Sequence, residues 1–88
     1  MRTLSNNQEL YDYLLFLSSE LRKRGLKELC ETLLFASRHA SGISTEFLGE
    51  SRRALRQVMQ QGNDALTEQE RDELRYALKQ LDKALDKQ

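Results

Sequence analysis

Covalent catalysis needs a nucleophile and a base within hydrogen-bond reach. The chain has one cysteine, Cys30, and one histidine, His39. Nine residues apart on one helix, they face opposite sides and form no dyad. Cys30 alone excludes an internal disulfide framework and suits a small core position in a reducing compartment. A zinc site needs several Cys or His ligands, and one of each is too few. Glu46 and Glu50 share a helix face, but no Glu-x-x-His spacing accompanies them, so a di-metal carboxylate centre has no support. Gly25, Gly42, Gly49 and Gly62 are scattered and build no phosphate loop. The expectation is therefore no catalytic residue, no cofactor and no metal, hence no enzyme.

Two sets of side chains remain that could bind rather than react. Arg52, Arg53 and Arg56 fall on one flank of a helix beside Gly49, and only Arg53 has an acid at helical spacing, Glu50. Guanidinium groups in such a cluster suit phosphate or carboxylate, so this is the candidate anion or nucleic-acid contact. Solvation, or salt bridges to acids on another helix, would serve equally well for helix-surface arginines. Phe16, Phe35 and Tyr76 point away from the apolar stripes of their helices at 100° per residue. Large apolar groups on a wet face form a candidate interface for a second copy or another protein. Cover by a neighbouring helix is the alternative.

These residues must be positioned by helices. Pro is absent, and the composition is rich in Leu, Glu, Arg, Lys, Gln and Ala, all good helix formers. Val and Ile are nearly missing, which leaves strands without their favoured residues. The 88 residues make one domain, numbered 1–88, and not two. Ser5 or Asn6 can cap a first helix over about 6–24, with Leu10, Leu14, Leu17 and Leu21 on its buried face and Gly25 as its stop. A second helix spans about 26–40, with Leu26, Leu29, Cys30, Leu33, Ala36 and Ser37 inward. Ser44 or Thr45 caps a third over about 45–61, which buries Phe47, Leu48, Ser51, Leu55, Val58 and Met59. Gly62-Asn63-Asp64 is a turn. Thr67-Glu68-Gln69-Glu70 is a capping box for a fourth helix over about 68–86, with a narrow stripe of Leu74, Leu78, Leu81 and Leu85. Glu68–Arg71 and Asp72–Arg75 are expected ion pairs on its wet side. The fold class is all-α, a roughly antiparallel bundle of four amphipathic helices.

Charge narrows the partners. Fourteen basic and fourteen acidic side chains cancel, whereas general nucleic-acid binders carry a basic excess. A protein partner, self or other, is expected ahead of nucleic acid. The second helix, the Gly42 turn and the third helix invite a helix-turn-helix. However, Arg38 stands where a small residue is wanted, and Glu46 and Glu50 would repel phosphate. Residues 1–9 hold no apolar stretch of a signal peptide, and the longest apolar run, Tyr13 to Leu17, is far too short to span a membrane. The expected location is cytoplasmic, with no membrane partner.

The segment from Ser41 to Leu55 resembles a stretch of small uncharacterised bacterial helical proteins. They share a Gly, then Ser/Thr-x-Glu-apolar-Leu, then Arg-x-Ala-Leu, as in Gly42, Ser44-Thr45-Glu46-Phe47-Leu48 and Arg52-Arg53-Ala54-Leu55. The resemblance implies a bacterial source and a stand-alone helical protein. It implies no activity and transfers no site residue.

Overall fold

The side-chain oxygen of Asn6 accepts a hydrogen bond from the Glu9 N–H at 2.8 Å, and this cap opens α1 (Asn7–Lys23). The computed structural model describes residues 6–86, so Ser5, the other expected cap, and most of the stretch searched for a signal peptide lie outside the described residues. α1 closes as a Schellman turn. Gly25 takes φ +81°, its N–H donates to Arg22 O at 3.1 Å, and the Leu26 N–H donates to Leu21 O at 2.9 Å. Leu26 then packs against the core and leads into α2 (Lys27–Ser37).

α2 is shorter than its apolar pattern predicts. The Ser37 hydroxyl donates back to Leu34 O at 2.6 Å, and the chain tightens into a 3₁₀ turn over Arg38–Ser41. Side-chain bonds of this kind compete with the α-helical ladder. α3 (Ser44–Gln61) spans the expected residues, but neither Ser44 nor Thr45 caps it. Ile43 holds the cap position without a side-chain bond, and the Ser44 hydroxyl accepts from Asn7 Nδ2 at 3.1 Å instead. Ser44, Thr45 and Glu46 are exposed, so water can satisfy the free N–H groups there. A 3₁₀ turn, Asn63–Ala65, leads to α4 (Glu68–Asp86). The capping box is present: the Glu70 N–H donates to Thr67 Oγ1 at 3.1 Å and the Thr67 N–H to Glu70 Oε1 at 2.8 Å.

The side-chain contacts define the order in space. Gly62, just past α3, abuts Leu29 at the start of α2, so these helices run antiparallel. Asn7 reaches Ser44, which brings the beginnings of α1 and α3 together. Arg24, at the end of α1, reaches Glu70 in the first turn of α4. The protein is thus an all-α bundle of four helices running up, down, up, down, in a single domain.

One core joins them all. Leu10, Leu14, Leu17 and Leu21 of α1 are buried, as their spacing requires. Leu29, Leu33 and Ala36 come from α2, and Phe47, Leu55 and Val58 from α3. α4 contributes Leu74, Ala77 and Leu81, while Leu78 and Leu85 stay half-buried at its edge. Burial of each large side chain contributes about 1.5–3 kcal/mol. Three serines are also buried. Ser18 and Ser37 return their hydroxyls to Leu15 O and Leu34 O, but Ser51 Oγ, fully enclosed, has no hydrogen-bond partner among the described residues. No described helix is long and apolar enough to cross a membrane.

Candidate interaction surface

Phe35 is 54% exposed. It lies across α2 from Leu33 and Ala36, which hold the helix to the core. Its neighbours on the outer face are Glu28, Glu31 and Arg38, all exposed. Among the described residues these three make no ion pair. His39 stands edge-on to the Phe35 ring, with centroids 5.2 Å apart and planes at 67°, and so restricts the ring. Phe35 forms part of a groove of about 710 Å³ between α2 and α3, whose lining includes the small residues Thr32, Ala36 and Ala54 and the charged Glu50 and Arg53.

The other two aromatics do not join this surface. Phe16 is 44% exposed on α1, Tyr76 is half-buried on α4, and neither lines the groove. Tyr76 therefore drops out as a large exposed group. Ile43, at 63%, is more exposed than either phenylalanine. It escapes helical periodicity because it lies between helices, in extended backbone just before α3.

The arginine cluster is not free of acids. Asp82 of α4 accepts from Arg52 Nη1 at 3.0 Å and from Arg56 Nη2 at 3.2 Å. Arg53 lies 3.8 Å from Glu50. Helical spacing cannot show Asp82, because it belongs to another helix thirty residues along the chain from Arg52. A shallow groove of about 460 Å³ runs along α3 past Gly49, Arg52, Arg53 and Arg56, edged by Gln57 and Gln60. Two carboxylates offset the three guanidinium groups around it, which weakens its field.

An ion pair with both side chains partly buried lies near the end of α1 and the start of α4. Arg24 makes a two-pronged pair with Glu70, Nη1 to Oε1 and Nη2 to Oε2, both at 2.7 Å, and Nη1 also donates to Ala65 O at 3.0 Å. The Arg24 hydrogen bonds, helped by the Thr67 N–H, lower the Glu70 pKa to about 2. The same pairing raises that of Arg24. Asp72 and Arg75 pair as expected, whereas Arg71 does not meet Glu68. It donates instead to the carbonyls of Asn63 at 3.0 Å and Leu66 at 2.7 Å, tying down the turn before α4.

Cys30 is buried, and no group of three or more metal-ligating side chains converges among the described residues. Comparison with known proteins finds no matching family model, no matching curated protein and no matching solved structure.

Proposed function

We propose that the protein is a non-enzymatic helical interaction module that binds protein through the α2 face bearing Phe35. The observation that carries this reading is the exposure of Phe35 on a groove with small residues in its lining. An aromatic ring seated in a partner is a frequent anchor of interfaces, and covering a side chain of this size contributes about 1.5–3 kcal/mol. Glu28, Glu31 and Arg38 around it, which make no ion pair among the described residues, supply charges that can select and orient the partner. A cytoplasmic setting is part of the proposal, supported by the single buried cysteine.

The test is affinity capture of partners from native lysate, with and without nuclease, by wild type and by Phe35→Ser. Capture of a specific protein that survives nuclease is expected, together with its loss in the variant at unchanged helical circular dichroism. Undiminished capture by Phe35→Ser, or unfolding of that variant, overturns the proposal. The groove along Arg52, Arg53 and Arg56 favours a second function, anion or nucleic-acid binding. Partners that disappear with nuclease, and with salt, would point there.

A further inference from the structure

We propose that the occupant of the Phe35 face is a second copy of this chain, docked antiparallel, α2 against α2, about a two-fold axis at Phe35. This names the partner for the reading above and rests on it.

The outer face of α2 is a single stripe. Glu28, Glu31, Phe35 and Arg38 follow one another at spacings of three, four and three, the pattern of a helix–helix seam. α2 is α-helical through Ser37, and Arg38 keeps helical backbone angles at φ −66° and ψ −17°, so the stripe runs unbroken to it. At 1.5 Å per residue, Glu31 lies about 6 Å before Phe35 and Arg38 about 4.5 Å after it. A two-fold axis at Phe35 therefore places Glu31 within about 1.5 Å of the level of the partner's Arg38, well inside the reach of an arginine. Symmetry repeats the pair on the other side of the ring. Glu28 falls opposite the partner's Gly42 turn, which carries no acid.

The arrangement of charges selects this orientation. A parallel pair would set Glu31 against Glu31 and Arg38 against Arg38, and like charges so placed repel. Among the described residues Glu31 and Arg38 have no ion-pair partner, although most of the arginines do. Half-buried Thr32 lies beside the stripe, and the small Ala36 and Ala54, buried at the floor between α2 and α3, keep the groove next to Phe35 open. The copies carry no net charge to hold them apart. One helix face each is a small interface, below the roughly 800 Å² per partner of a standard complex, so association in the micromolar range is expected.

Sedimentation equilibrium of the purified full chain tests the proposal, using wild type, Glu31→Arg, Arg38→Glu and an equimolar mixture of the two variants. Wild type is expected to dimerise reversibly at concentrations up to about 0.5 mM. Each variant alone sets like charges opposite each other across the axis and should dimerise about tenfold more weakly, or less still. In the mixture the basic stripe of one variant meets the acidic stripe of the other, and dimer should return as a heterodimer. A surface charge change leaves the core intact, which circular dichroism verifies. A wild type that stays monomeric, variants that associate like wild type, or a mixture that stays monomeric each overturn the second-copy proposal. Monomeric wild type that still captures another protein in a Phe35-dependent way would leave the interaction module standing, whereas capture indifferent to Phe35→Ser would remove both.

Discussion

Gly49 and Gly62 lie thirteen residues apart and do opposite things. Gly49 sits inside α3, and a Cβ built on it would meet nothing within 4 Å. Glycine there only adds to the entropy lost on folding. Gly49→Ala should stabilise the protein by about 0.5–1 kcal/mol. At Gly62 a Cβ would come within 2.9 Å of Leu29 Cδ1 and 3.1 Å of Val58 O. Leu29 is buried and Val58 O is backbone that already accepts the Gly62 N–H at 2.8 Å, so neither yields freely. Gly62→Ala should destabilise by about 1–3 kcal/mol, the usual range for overpacking. Urea denaturation of both variants checks the opposite signs, and a Gly62→Ala as stable as wild type would show that the end of α3 can move away from α2.

The beginning of α4 is fastened by more than its cap. Thr67 and Glu70 close the capping box within the helix, and Arg24 brings the end of α1 onto the same carboxylate. Glu70 ionises near pH 2 in the folded protein and near 4.3 when unfolded. Its folded pKa is depressed, so its stabilisation is fully present above about pH 4.3 and disappears as pH falls toward 2. Both side chains keep some contact with water, at 28% and 15% exposure, which reduces the effect to about 1–2 kcal/mol. Glu70→Gln preserves an acceptor for the Thr67 N–H and removes only the charge. It should lose about 1–2 kcal/mol at neutral pH and converge on wild type near pH 2. Denaturation curves across that range check it; a constant gap between the two proteins would assign the loss to the cap instead of the ion pair.

At the scale of the whole molecule, every helix sends side chains into one continuous core, and the link before α4 adds Leu66. The radius of gyration, 11.9 Å, matches the roughly 12 Å of a compact chain this long. No helix has a core of its own to fall back on, so unfolding should be one cooperative transition with a net stability of about 5 kcal/mol or somewhat more. Thermal melts followed by far-ultraviolet circular dichroism and by the near-ultraviolet tyrosine signal should share a midpoint. Separate midpoints would mean that one helix detaches before the rest.

Four helices, their inward leucines, the Gly25 stop and the Thr67–Glu70 capping box are legible in the chain itself, because each depends on residues within a turn or two of one another. Phe35 is legible for the same reason: 100° per residue places it opposite Leu33 whatever the helix packs against. Partnership between helices is not local. Nothing near Arg52 or Arg56 announces Asp82, nothing near Arg24 announces Glu70, and the half-burial of Tyr76 depends on its surroundings in the fold. The glycine at 62 reads as a turn in sequence, yet its closest constraint is the Leu29 side chain of another helix. Helical periodicity, a short-range property of backbone geometry, determined the elements and their inner and outer faces. Only the tertiary structure decided which outer faces stay open, because that depends on which helices lie side by side.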